Sequence, residues 1–214
     1  VDPRFEFSRY GEMLASSQTS FSTLYESLKL NTLIDERLIA LLEARLAKFK
    51  PDLVGFSVPF PGNVYSALKM GRHIRKKHKT VKTVMGGGFV NTELRDLTDA
   101  RVFEFVDFLT FDDGEKPLCT LIEFIEGKIG AEDLMRTKFA REGRVVASTS
   151  MAKDPAFKTL PAPDYSGLPL DRYLSLMMIP NAMHRLWSEF RWNKIILAHG
   201  CYWKRCSFCD VSLD

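Results

Sequence analysis

The sequence predicts an α/β protein built on a Rossmann-like or flavodoxin-like, doubly wound parallel sheet. Apolar runs of strand length alternate with segments of helical periodicity between residues 50 and 126. Turns rich in glycine, proline and aspartate separate these segments. Strands that alternate with helices form parallel sheets joined by right-handed crossovers, so these observations favour this class over all-α or all-β folds.

Two helices are predicted before the first strand. Residues 21–30 form the first, and Thr32 with Asp35 supplies an N-cap pair for the second. Apolar residues then repeat at helical spacing, at Leu38, Leu42, Leu46 and Phe49, with Ile39 and Leu41 beside them. Pro51 ends this helix. We assign its apolar stripe to core packing.

The middle of the chain is predicted to alternate between strands and helices. The predicted strands are 53–58, 81–85 and 106–111, and the predicted helices are 63–78, 92–97 and 117–126. Gly127 is the expected C-terminal cap of the last helix. Residues 135–139 and 145–149 flank Glu142-Gly143 and indicate a β-hairpin, at the sheet edge or at the passage to a next domain.

Three turns follow the predicted strands: 57–62, 86–88 and 112–115. In parallel sheets, ligands bind in the crevice outside the carboxyl ends of the strands, and we expect a ligand there. Each turn by itself is most simply a tight helix start, and only the three together favour a site. No Gly-x-Gly-x-x-Gly opens a helix, which disfavours a dinucleotide site.

Three of the four cysteines lie near the C-terminal end of the chain. Cys201, Cys206 and Cys209 have the spacing Cys-x4-Cys-x2-Cys and follow an apolar run, 195–198. Clustered thiolates suit zinc or an iron–sulfur cluster. A four-iron cluster with a full protein shell takes four ligands, so three would leave one iron open. With His199 the same cysteines would complete a Cys3His zinc site, and spacing alone leaves both alternatives open.

The cysteine motif resembles the cluster signature of radical S-adenosylmethionine (radical SAM) enzymes, Cys-x3-Cys-x-aromatic-Cys. Phe208 matches the aromatic position, and one extra residue separates the first two cysteines. This resemblance implies that Cys201, Cys206 and Cys209 hold a 4Fe-4S cluster. Its open iron would bind S-adenosylmethionine, whose reductive cleavage yields a 5′-deoxyadenosyl radical. The parent protein would then be an enzyme.

The three upstream turns resemble those of cobalamin (vitamin B12)-binding domains fused to radical SAM barrels. The matching residues are Ser57, Gly86, Gly87, Asp113, Gly114 and Glu115. The resemblance implies that Ser57 bonds the lower base of cobalamin and that Gly86 and Gly87 pass beside its nucleotide tail. Methyl transfer to carbon or phosphorus would follow. The Asp-x-His-x-x-Gly motif is absent, so we do not expect a protein histidine on cobalt.

We divide the chain into a cobalamin-binding-type domain, 1–150, an extended linker, 151–190, and the start of a radical SAM domain, 191–214. Five of the ten prolines lie between Pro155 and Pro180, which excludes one continuous helix there. Only five residues follow Cys209, whereas a barrel takes on the order of 200. We therefore expect an N-terminal part of a longer enzyme, inactive alone.

Other classes receive less support. A net charge of +3 does not indicate a nucleic-acid partner, and the basic run 72–79 suits a helix C-terminus.

No apolar run approaches the ~18 residues of a membrane span, and no secretory signal is visible, so we expect a cytoplasmic protein. Cys119, predicted to be a buried core thiol, is the only cysteine outside the motif, which argues against a second cluster and a tRNA methylthiotransferase.

Two alternatives complete the expectations. Apolar residues of the linker and C-terminal segment, Trp187, Phe190 and Trp192, predict a face that packs on a barrel or forms a homodimer. The alternative function is a non-enzymatic α/β binding module with a structural Cys3His zinc.

Overall fold

The computed structural model describes residues 21–148, 150, 153–169, 203 and 205. Five helices lie in this part of the chain: α1 (Phe21–Lys29), α2 (Leu33–Phe49), α3 (Val64–Lys77), α4 (Gly88–Glu93) and α5 (Glu115–Ile125). Its five strands are β1 (Leu53–Ser57), β2 (Lys82–Gly86), β3 (Phe108–Thr110), β4 (Thr137–Arg141) and β5 (Arg144–Ala147). None of these helices is both long enough and apolar enough to cross a bilayer.

The five strands form one open sheet in the order β1-β2-β3-β4-β5. Strands β1, β2 and β3 are parallel, as predicted, whereas β4 and β5 are antiparallel to their neighbours. The α/β class is thereby confirmed. The sheet is mixed because the predicted hairpin adds two antiparallel strands to its edge. The prediction of a doubly wound sheet needs correction, since the described strands follow one another in chain order without a reversal of strand order.

Helices cover both faces of the sheet. Neighbouring residues in a strand point to opposite faces, and Val84 and Met85 accordingly enter different apolar clusters. Met85 packs with Leu28 of α1 and Leu68 of α3, whereas Val84 packs with Leu121 of α5. The core therefore consists of two layers on either side of β2 and β3.

The helix ends follow local sequence signals. Thr32 and Asp35 form the predicted capping box of α2: the Asp35 amide donates to Thr32 Oγ1 at 3.2 Å, and the Thr32 amide donates to Asp35 Oδ2 at 2.9 Å. Gly127, in the left-handed region at φ 73°, ends α5. The amides of Gly127 and Lys128 donate to the carbonyls of Phe124 and Glu123, a Schellman motif.

The hairpin turn consists of Glu142 and Gly143, with φ values of 51° and 73°. Arg141 pairs directly with Arg144 across it. Two left-handed residues in a two-residue loop form the type I′ turn that suits the twist of a hairpin. The predicted hairpin is confirmed, and it lies at the sheet edge.

Three sequence-based predictions need correction. The apolar stripe of α2 is only partly buried, since Leu46 lies in the interior while Leu41 and Phe49 are 55% and 65% exposed. Helix α4 begins at Gly88 rather than near Thr92. Cys119 is exposed, because α5 turns Leu121 toward the sheet and Cys119 to the opposite side.

Contacts divide the chain into two compact units, Val1–Asp154 and Pro155–Asp214. In the second unit, residues 155–169 contain one short 3-10 helix, Phe157–Thr159, and are exposed at nearly every described position. The predictions for Trp187, Phe190, Trp192, His199, Cys201, Cys206, Phe208 and Cys209 lie outside the described residues.

Candidate functional site

The three predicted turns meet at the carboxyl edge of the parallel strands. Ser57 lies beside Gly86 across the β1–β2 pair, and Met85 lies beside Leu109 across the β2–β3 pair. The turns 57–62, 86–88 and 112–115 therefore leave the sheet side by side. Ser57, Gly88, Asp113, Gly114 and Glu115 are all exposed. This edge offers a hydroxyl and two carboxylates to solvent.

The three glycines of the second turn allow one turn to pack closely on the next. A Cβ on Gly87, at φ 106°, would lie 2.9 Å from the backbone nitrogen and oxygen of Val58. A Cβ on Gly88 would lie 2.9 Å from the Pro59 carbonyl oxygen, and one on Gly86 would lie 2.9 Å from Thr110 Oγ1. Close packing within the protein therefore explains why these three positions hold glycine.

Two backbone hydrogen bonds hold the first two turns together. The Val58 amide donates to the Gly86 carbonyl at 2.7 Å, and the Phe89 amide donates to the Val58 carbonyl at 3.0 Å. The second bond explains the early start of α4, since it fixes Phe89 in its first turn. The prediction that Gly86 and Gly87 lie beside a nucleotide tail stays a prediction without support from these contacts.

The acidic turn is anchored through Asp112, the residue before the predicted acidic group. Asp112 has a left-handed backbone with φ 61°, and its amide donates to Asn91 Oδ1 at 2.8 Å. Its carboxylate contacts Arg95 of the segment after α4 and lies 3.5 Å from Arg136 Nε. Asp112 therefore fixes the turn and leaves the exposed carboxylates of Asp113 and Glu115 at the edge.

Arg136 connects this edge to the end of the first unit. Its guanidinium donates to both carboxylate oxygens of Asp154, at 2.6 and 2.5 Å, and to the Asp113 carbonyl at 3.2 Å. The hydrogen bonds that its guanidinium donates to Asp154 raise the pKa of Arg136. Arg95 and Arg136 were missed at the sequence level, because their ion pairs join residues 17 and 18 positions apart with no local motif.

A small cationic cavity of about 120 Å³ lies next to this anchor. Arg95, Arg136 and Lys138 line it together with Phe111. Burial lowers the pKa of Lys138, whose ammonium donates to the carbonyls of Arg95 and Leu97. These cations already contact carbonyls and carboxylates of the protein. We therefore assign them to holding the edge of the sheet together.

The cysteine segment is described only at Trp203 and Arg205, between Cys201 and Cys206. Trp203 is 56% exposed, and the Arg205 guanidinium lies 5.8 Å from the centre of its ring, a cation–π contact. The positions of the three thiols lie outside the described residues. The segment thus presents a cation and an indole between the first two cysteines.

Comparison with models of known protein families gives no match, and no curated protein is significantly similar to the chain.

Proposed function

We propose that the chain is part of a radical SAM enzyme, in which an α/β domain precedes the segment that binds the cluster. The observation that supports this most directly is the Cys201, Cys206 and Cys209 spacing with Phe208 beside the last cysteine. The α/β architecture of the preceding residues is the second support, because the resembled enzymes place such a domain before the barrel.

The donor set fits the proposed cluster in number and in charge. Three thiolates are soft ligands and leave one iron of a four-iron cluster for a small molecule. Lys204 and Arg205 lie between the first two cysteines, and two cations offset the negative charge of a cluster held by three thiolates. When bound, the cluster would supply the electron that cleaves S-adenosylmethionine.

The chain's own contribution is to hold the iron and to keep charge near it. The thiolates of Cys201, Cys206 and Cys209 would fix the cluster, and the Arg205 guanidinium, which lies over the Trp203 ring, would add positive charge between the first two cysteines. Ser57, Asp113 and Glu115 are exposed at the carboxyl edge of the sheet, where the resemblance to cobalamin-binding domains would place a ligand.

Cobalamin as a second cofactor has weaker support. The glycines expected to make room for it face Val58, Pro59 and Thr110. The two histidines among the described residues, His73 and His78, lie at the end of α3 that precedes β2, on the opposite edge of the sheet. These residues do not fit a corrinoid held by a protein histidine, and we derive no step through it.

Anaerobic reconstitution with iron and sulfide tests the proposal. We expect about four irons and four sulfides per chain, and we expect Cys201→Ala, Cys206→Ala and Cys209→Ala each to lose the cluster, because no spare thiolate lies in the motif. The Cys119→Ala variant is the matched control, since this exposed thiol lies on α5 and should not affect iron content. Iron, sulfide and visible absorption are the measurements.

The zinc alternative gives a different result in the same experiment. One tightly bound zinc per chain, no iron uptake and loss of zinc in His199→Ala would favour the Cys3His module. Retention of four irons by any of the three cysteine variants would contradict the assignment of ligands.

A further inference from the structure

Two histidines and a glutamate meet at the amino edge of the sheet, away from the three turns described above. Glu43 belongs to α2, His73 to the last turns of α3, and His78 follows α3 directly. Glu43 Oε1 lies 2.9 Å from His78 Nε2 and also contacts His73 Nε2. One ligand atom from each residue lies within 4.8 Å of the other two.

The end of helix α3 produces this meeting. Residues five positions apart lie about 140° apart around an α-helix, so His73 and His78 of a continuous helix would point in different directions. The helix ends at Lys77, and His78 takes φ −120° and ψ 63°. The non-helical φ of His78 gives its side chain a direction different from the one it would have in a continuous helix, and the two ring centroids lie 6.2 Å apart.

Packing of α2 against α3 supplies the carboxylate. Asp35 and Glu43 of α2 contact Lys69 and His73 of α3 in the same order along both helices, which shows that the two helices run in the same direction. Glu43 therefore lies opposite the last turns of α3. Its carboxylate contacts the Nε2 atoms of both His73 and His78.

We propose that Glu43, His73 and His78 form a binding site for a divalent transition metal of the zinc type. Two imidazoles and one carboxylate are a donor set that zinc uses when it keeps an open position. With bonds of 2.0–2.1 Å, tetrahedral ligand atoms lie about 3.3 Å apart. The present spacing therefore needs only small side-chain adjustments, which these partly exposed side chains can make.

The surroundings select the kind of metal. The imidazole donors favour zinc, copper, nickel or iron over magnesium and calcium, which prefer all-oxygen sites. The carbonyl end of α3 carries partial negative charge that attracts a cation, while Lys76, Lys77 and Lys79 nearby oppose it. The positive charge of these lysines disfavours a hydrated cation that is held by electrostatic attraction alone. A metal would therefore have to bind directly to the imidazole nitrogens.

An open cavity gives the proposed metal access to solvent. Glu43 and His78 line a cavity of about 390 Å³ together with Lys50, Asp52 and Thr80. Lys50 and Thr80 add a cation and a hydroxyl to the lining of this cavity. The open cavity thus leaves room for an exchangeable ligand beside the three proposed donors.

Titration with Zn²⁺ and Co²⁺ tests this proposal on the full chain without an affinity tag. The cysteines of the proposed cluster are first replaced, as Cys201→Ala, Cys206→Ala and Cys209→Ala together, so that thiolates do not bind the probe. We expect one Zn²⁺ per chain by calorimetry and a Co²⁺ spectrum of nitrogen and oxygen ligands without thiolate charge transfer. The metal should also raise the melting temperature, because it binds the folded state.

Three variants and one control decide the outcome. His73→Gln, His78→Gln and Glu43→Gln should each weaken Zn²⁺ binding at least tenfold, since loss of even a group that orients a ligand costs about 10–100-fold. Glu36→Gln, on the exposed face of the same helix, should bind as the parent does. Circular dichroism without metal verifies that each variant is folded.

Absence of stoichiometric Zn²⁺ binding in the folded parent would overturn the proposal. Binding that survives both His73→Gln and His78→Gln would do the same, because the ion would then lie elsewhere. Both results are independent of the iron–sulfur assignment, since the tested chain lacks the three cysteines.

Discussion

Replacing Gly71 with alanine should strongly destabilise the α/β domain. Gly71 lies in the middle of α3, where a Cβ would be 2.3 Å from the carbonyl oxygen of Phe105 and 3.2 Å from Val106 Cγ1. Alanine is favoured over glycine in helices by about 1 kcal/mol, so without this contact the change would stabilise the protein. Relieving a clash with backbone shifts the helix, at a cost of about 3 kcal/mol.

Urea unfolding followed by circular dichroism measures this effect. Gly114→Ala is the control, because Gly114 has φ −76° and no neighbouring atom lies within 4 Å of the position that a Cβ would take there. Because Gly114 is the N-cap of α5, the Gly114→Ala change should lower the free energy of unfolding by less than about 1 kcal/mol. A Gly71→Ala protein as stable as the parent would show that α3 and the segment at Phe105 do not pack as closely as described.

Replacing Asp35 with alanine should cost about 3–5 kcal/mol, because it leaves the ammonium of Lys69 buried without its anion. Asp35 and Lys69 are 1% and 8% exposed, and Asp35 Oδ2 lies 3.3 Å from Lys69 Nζ. The same oxygen accepts a hydrogen bond from Tyr65 at 3.2 Å. The change also removes the capping box of α2, which Thr32 forms with Asp35.

A double-mutant cycle separates the ion pair from the cap. Asp35→Leu combined with Lys69→Met should lose less stability than the two single changes together, because neither charge is then left alone. Glu26→Ala removes the exposed pair of Glu26 with Lys29 and should cost under about 1 kcal/mol. Strict additivity in urea unfolding would contradict a coupled buried pair.

The stability that the Asp35→Ala variant loses should also depend on pH. Burial lowers the pKa of Lys69 below its ordinary 10.5, and Asp35 opposes this change. Between the folded and unfolded pKa values the unfolded chain binds more protons, so stability rises with pH. Without Asp35 this range widens, and the variant should recover part of its stability at pH 10 relative to pH 7.

Local signals made the helix and turn predictions succeed. The capping box before α2, Gly127 after α5 and the Glu142-Gly143 turn act through residues within a few positions of one another, so the sequence alone displays them. The start of α4 was misplaced because it depends on Gly87 packing against Val58, a contact between two loops. The side of α5 that holds Cys119 likewise depends on how the helix lies on the sheet.

The candidate site was predictable in outline only. Parallel strands placed the turns at Ser57, Gly86 and Asp112 on one edge, since topology alone determines which strand ends meet. The partners of Asp112 were not predictable, because Arg95 and Arg136 reach it from other elements. The sequence predicts a basic helix end for the histidines at 73 and 78, because cations complement the helix dipole there, and their contact with Glu43 depends on how α2 packs against α3.

Helices α2 and α3 are connected at two places along their length, by Asp35 with Lys69 and by Glu43 with His73. Neither helix can detach without breaking the contacts of the other, so the pair should behave as a single cooperative opening unit. Their amide hydrogens should then exchange with deuterium at a shared, slow rate, while those of the peripheral β4–β5 hairpin exchange sooner.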